Sequence, residues 1–62
     1  MKEVNMNTEF EIGDIVNVKG YKIPQLVIHD IGEKSAECVW FDGSVFIIER
    51  FNLKILEGVK VD

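Results

Sequence analysis

The run Cys38-Val39-Trp40-Phe41 passes directly into Asp42-Gly43 and out again through Ser44-Val45-Phe46-Ile47-Ile48-Glu49. β-Branched and aromatic residues favour extended chain, and an Asp-Gly pair between two apolar runs is the strongest short-range hairpin signal a sequence carries. A type I′ turn needs positive φ at both central residues, which Asp tolerates and Gly prefers. The chain is therefore expected to double back at Asp42-Gly43, with strands over 36–41 and 44–49. The remaining sequence is cut in the same way. Gly13-Asp14 precedes Ile15-Val16-Asn17-Val18-Lys19, read as the first strand. Gly20 to Pro24 forms a loop, because Pro lacks an N–H and suits a strand entrance better than a strand interior. Gln25 to Ile31 reads as the second strand and Gly32-Glu33-Lys34-Ser35 as a polar turn. Arg50-Phe51-Asn52 is expected to make a single tight helical turn before a short last strand over Leu53–Leu56.

About five short strands at this spacing, with no helix of ordinary length, describe an all-β fold. A flat sheet of that size leaves two edges open, and curling it into a barrel removes most of that edge. The domain is expected over residues 10–57, with a polar, aperiodic arm over 1–9 and a tail over 58–62. At 62 residues the chain is a single domain. A chain so short buries only about 60% of its unfolded surface, so its stability is expected to be marginal. The apolar share of 47%, against 29% charged, is too high for disorder by composition.

Seven basic and eleven acidic side chains give a net charge of −4. An acidic chain has no general attraction for phosphate backbones, so non-specific nucleic-acid binding is disfavoured. The single cysteine excludes an internal disulfide and fits a reducing compartment. No apolar run approaches the roughly 18 residues of a membrane span. The opening Met1-Lys2-Glu3-Val4-Asn5-Met6-Asn7 carries no apolar signal core. A cytoplasmic location without membrane contact is the expectation.

The order of these runs resembles the YodC-like family of small uncharacterised bacterial proteins. That family opens with a Gly-Asp-x-Val strand and a Lys, followed by a Pro-x-Met-x-Val strand and a Cys-x-Trp-Phe strand. Here Gly13-Asp14-Ile15-Val16-Asn17-Val18-Lys19 matches the opening, and Pro24-Gln25-Leu26-Val27-Ile28 the second strand, with Leu26 in the Met place. Cys38-Val39-Trp40-Phe41 matches the third, so the resemblance spans residues 10–56. Where the family carries Ser-Gly-Gly before the Pro, this chain has Gly20-Tyr21-Lys22-Ile23. The resemblance implies an SH3-like barrel of about five antiparallel strands; it implies no activity, cofactor or partner.

No constellation of residues points to catalysis. A nucleophilic Cys needs a neighbouring base and a lowered pKa, whereas Cys38 shares a strand face with Ala36 and Trp40 and reads as a buried core thiol. His29, the only histidine, lies on another strand and reads as a surface or rim residue. Zinc sites want four ligands at spacings absent here, so no metal or other cofactor is expected. Asp14, Asp30, Asp42 and Glu49 fall at turns and strand ends, where Asp is explained by turn hydrogen bonds. The chain is expected not to be an enzyme.

The aromatic residues set the remaining choice. Tyr21, Trp40, Phe41 and Phe46 lie on neighbouring elements and could form a cage for a methylated lysine through cation–π attraction. The competing reading places Trp40 and Phe46 in the core. The expected core is Val16, Val18, Leu26, Ile28, Cys38, Trp40, Phe46, Ile48 and Leu53. Alternation then turns Val39, Phe41, Val45 and Ile47 outward. Apolar residues on both faces of a strand call for a cover, either the arm, the loop bearing Tyr21 and Ile23, or another protein. Tyr21, Ile23, Val39, Phe41, Val45 and Ile47 are thus the candidate interaction residues, and the expected function is a non-enzymatic protein-interaction module with a protein partner or a second copy. The alternatives are a nucleic-acid-associated barrel, for which Lys19, Lys22, Lys34 and Lys54 would have to cluster, and a small acidic inhibitor of a host enzyme encoded by a mobile element.

Overall fold

The computed structural model describes residues 10–59. The expected arm over 1–9 and the end of the expected tail lie outside the described residues. The fold is all-β: β1 (Ile15–Val18), β2 (Leu26–Ile31), β3 (Ser35–Phe41), β4 (Phe46–Asn52), a 3-10 turn (Leu53–Ile55) and β5 (Leu56–Gly58). All pairings are antiparallel, in the order β4-β3-β2-β1-β5. The outer strands β4 and β5 do not pair with one another, so the sheet is not closed.

The helical turn comes three residues later than the sequence suggested. Arg50, Phe51 and Asn52 continue β4, and the 3-10 turn takes Leu53–Ile55 instead. Its start is fixed by Asn52, whose extended backbone and side-chain oxygen accepting the Lys54 N–H (2.8 Å) make it an N-cap. The last strand shifts with it and carries Gly58 into the sheet opposite Val16.

The core lies on one face. Val16, Leu26, Ile28, Ala36, Cys38 and Leu56 are buried, and Phe10, Val18, Ile31, Trp40, Phe51 and Leu53 pack partly buried around them. Trp40 is half-buried and leans on Phe51, with ring centroids 6.1 Å apart.

Two expected core residues are not there. Phe46 and Ile48 are 71% and 55% exposed, on the face opposite the core. Phe41 pairs with Phe46, Trp40 with Ile47, Val39 with Ile48 and Cys38 with Glu49. Directly opposed residues share a face, and an even-numbered connection sets each even residue of β3 against an odd residue of β4. Ile47, expected outward, therefore lies half-buried beside Trp40, while Phe46 and Ile48 join Val39 and Phe41 outside. The connection itself is also longer than the two-residue turn: Asp42–Val45 separates the first pair. Asp42 closes it, its Oδ1 accepting the N–H groups of Ser44 (2.8 Å) and Val45 (2.9 Å) while its own N–H reaches the Val45 carbonyl (3.1 Å). Gly43 holds φ +102°, a conformation that favours glycine. Val45 is exposed within this turn rather than on the strand.

Candidate functional site

Two surfaces bring functional candidates together, one on each side of the sheet. On the outer face, register aligns Ile15 with Val27, Val27 with Val39, and Val39 with Ile48. Four strands thus contribute one apolar side chain each to a continuous row. Beside it Phe41, 55% exposed, and Phe46 meet as a tilted pair with ring centroids 5.0 Å apart. Of the candidate interaction residues, Val39 and Phe41 lie in this strip; Ile15, Val27, Phe46 and Ile48 complete it. Alternation with the expected core residues Val16, Leu26 and Ile28 already turns Ile15 and Val27 outward; their alignment into one row needed the cross-strand register.

The same face becomes polar toward the other end of β3. The ladder slips between Ile28 and Asp30, leaving His29 as the extra residue of a β-bulge. His29 and Asp30 can then both reach the opposed pair Glu37 and Arg50. His29 Nε2 lies 2.9 Å from the Glu37 carboxylate, and the Arg50 guanidinium lies 3.4 Å from Asp30 and 3.9 Å from Glu37. Arg50 also donates to the Ser35 hydroxyl (2.9 Å). These groups are partly exposed, so each pair contributes about 1 kcal/mol or less. They tie the bulged stretch of β2 to β3 and β4.

The second surface is a cleft of about 430 Å³ on the core side, lined by Val18, Tyr21, Ile23, Pro24, Leu26, Trp40, Glu49 and Phe51. It opens where the β1–β2 loop stands off from β3 and β4. That loop is held in place. Gly20 takes φ +87°, the Tyr21 N–H donates to the Val18 carbonyl (2.8 Å), and Asn17 Nδ2 donates to the carbonyls of Tyr21 (2.7 Å) and Val18 (3.2 Å). Tyr21 and Ile23 are 66% and 78% exposed at the rim. Phe51, which the sequence reading assigned to a helical turn, is the aromatic residue it missed here.

The cage imagined from Tyr21, Trp40, Phe41 and Phe46 does not assemble, because Phe41 and Phe46 face away from Trp40. Cys38 is buried, with Sγ 3.9 Å from the Ala36 carbonyl, and burial raises its thiol pKa. A thiol held protonated in an apolar core is a poor nucleophile. Among the described residues no group of three His, Cys, Asp or Glu side chains could hold a metal ion, and no helix is long and apolar enough to cross a membrane. Lys19, Lys22, Lys34 and Lys54 are all exposed. No family model, no curated protein and no solved structure matches the chain, so the YodC-like resemblance stands on its motifs alone.

Proposed function

We propose that this protein is a non-enzymatic protein-interaction module on an SH3-like barrel, and that its outer face binds a second copy of the chain. The strand order with β5 beside β1, and the 3-10 turn joining β4 to β5, support the barrel reading. The observation that carries the interaction is the row Ile15, Val27, Val39 and Ile48 with the Phe41–Phe46 pair beside it. A contiguous apolar patch rimmed by polar groups marks an interface more often than scattered apolar residues do. Sheets stack face to face about 10 Å apart with apolar side chains interdigitating, and two such faces related by a two-fold axis would complete a sandwich. The polar end suits self-pairing, since it offers both signs of charge in Arg50, His29, Asp30 and Glu37.

Light scattering on the purified chain tests this. The wild type is expected at twice the monomer mass at high concentration, and Ile48→Lys is expected at the monomer mass with its melting curve retained. A monomeric wild type at all concentrations removes the second copy as occupant.

A further inference from the structure

We infer that the free edge of β4 is a pairing surface for β4 of a second copy, added antiparallel across a two-fold axis at Ile48. The inference goes beyond the stacking of outer faces. It rests on backbone groups at the rim of the sheet, and either contact can form without the other.

Two hydrogen bonds at the ends of the β3–β4 ladder set its phase. The Asp42 N–H donates to the Val45 carbonyl (3.1 Å) at one end, and the Leu53 N–H donates to the Lys34 carbonyl (2.8 Å) at the other. Both pairs obey the register that sets Trp40 against Ile47. Bonded and non-bonded pairs alternate along an antiparallel ladder, so Ile47, Glu49 and Phe51 direct their amide and carbonyl groups to β3. Those of Phe46, Ile48, Arg50 and Asn52 point away from it, and no described strand lies on that side. Such an edge is a template for another strand, and proteins blunt it with brevity, proline, lysine or a bulge. The opposite edge is short, since β5 runs only from Leu56 to Gly58. β4 runs from Phe46 to Asn52, contains no proline or lysine, and keeps one register with β3 throughout.

The occupant follows from the sequence of β4 itself. Both members of each bonded pair across a new seam must face it. Even-numbered residues therefore meet even-numbered residues, and the two-fold axis passes through a residue, not between two. Centred on Glu49 or on Arg50, the axis sets a like charge against itself, which is destabilising. Centred on Ile47, it overlaps the two strands over 46–48 alone. Centred on Ile48, it overlaps them over 46–50, with Ile48 against its own counterpart, Phe46 against Arg50 and Ile47 against Glu49. The aromatic–guanidinium pair is favourable in itself. An inward-pointing charge on an edge strand is a guard against pairing; here the exposed Glu49 excludes the register centred on itself and leaves this one. The same centre extends the outer face. The row Ile15, Val27, Val39 and Ile48 ends at the β4 edge, and an axis at Ile48 continues it into the same row of the second copy. That axis stands perpendicular to the sheet, whereas an axis that stacks two outer faces lies parallel to it. The two contacts together can thus close as four chains instead of growing into a filament.

The test is light scattering, beside a melting curve, on chemically synthesised chains of all 62 residues. N-methylation of the Ile48 amide removes a donor at the seam and leaves the β3 ladder and the Ile48 side chain in place. The wild type is expected to pass from two chains to four as its concentration rises into the millimolar range. The chain N-methylated at Ile48 is expected to stop at two, its formation of four weakened by at least about tenfold. N-methylation of the Arg50 amide, which also faces the seam, should repeat that result. N-methylation of the Ile47 amide, which bonds to β3, should instead lower the melting midpoint. Val27→Lys, two strands from the edge, removes the face contact. It should stop at two chains held by their edges, and N-methylation of Ile48 on that background should give monomers. A Val27→Lys chain that is monomeric at every concentration would overturn the edge pairing. A wild type that stops at two chains and ignores N-methylation at Ile48 would overturn it and leave the stacking of faces. A wild type that stops at two, dissociated by N-methylation of Ile48 and not by Val27→Lys, would establish the edge and remove the stacking. A dilute, monomeric chain that melts well below wild type when N-methylated at Ile48 would place that amide in a bond within the chain, and the edge would not be free.

Discussion

Asp42 gathers the N–H groups of Ser44 and Val45 onto one carboxylate oxygen, and those hydrogen bonds, Val45 first, hold its pKa below the ordinary aspartate value. The shift has a direction in stability. A group whose pKa is lower folded than unfolded stabilises the fold fully above its unfolded value, about 3.9, and loses that contribution as pH falls through the folded value. Asp42→Ala is therefore expected to lower the melting midpoint near pH 7, and the gap to wild type should narrow by about pH 2. A gap of constant size across that range would show that the charge of the carboxylate is irrelevant to the turn. Cys38 gives the opposite sign. Its thiol pKa is raised by burial, so the unfolded chain ionises first, and stability should fall as pH rises through the unfolded thiol value of about 8.5. Labelling by a thiol reagent at about pH 8 should be slow in buffer and fast in denaturant. Labelling at the free-cysteine rate in buffer would mean that Cys38 is not in the core.

The β3–β4 hairpin is where the sequence was most and least legible at once. Its existence followed from β-branched and aromatic runs on either side of Asp42-Gly43, and its two strands are there. Its face assignment should have followed: the expected two-residue turn, like the four-residue connection found, is even-numbered and sets Cys38 and Trp40 on the face of Ile47 and Glu49, so placing Phe46 and Ile48 with them conflicts with the turn itself. Cross-strand register belongs to the pair of strands, and neither strand alone displays it. Phe46 and Ile47, adjacent and both apolar, offer no compositional clue to which is buried, and Glu49 misleads, since its charge argues for an outward face while it lies on the face of Ile47 and Cys38. The helical turn failed for a related reason. Arg50 and Phe51 are as acceptable in a strand as in a turn, and the N-cap Asn52 was the local marker that places the turn after it. The register itself can be measured. Phe41 and Phe46 sit 5.0 Å apart between ring centroids, and aromatic pairs contribute about 0.5–1.5 kcal/mol beyond the area they bury. A double-mutant cycle with Phe41→Ala and Phe46→Ala, read by denaturant midpoint, should return a coupling in that range. Independent, additive effects would place the rings apart and restore the shorter turn.

A small sheet with one buried face has little stability to spare, and this sets how the whole molecule should respond to a charge placed on either side of it. Single cores below about 70–80 residues rarely supply more than about 3–5 kcal/mol. Ile47 and Ile48 are neighbours in sequence and sit on opposite faces, so the same substitution asks different questions of them. Ile47→Lys puts a cation beside the half-buried Trp40 and is expected to cost about 1–3 kcal/mol, a large part of the total. Ile48→Lys puts it on the exposed strip and should leave the isolated chain as stable as wild type. The strip should then disclose itself through mass action. If two copies cover it, the wild-type midpoint rises with protein concentration, because association stabilises only the folded form. A tenfold increase adds on the order of 1 kcal/mol, and for a domain this size that moves the midpoint by about 4–8 °C. Ile48→Lys should abolish the dependence while matching the dilute wild type, and Ile47→Lys should melt low at every concentration. A wild-type midpoint that ignores concentration would leave the apolar row without a second copy to cover it. Loss of folding in Ile48→Lys would instead put that side chain inside the domain and reverse the two faces.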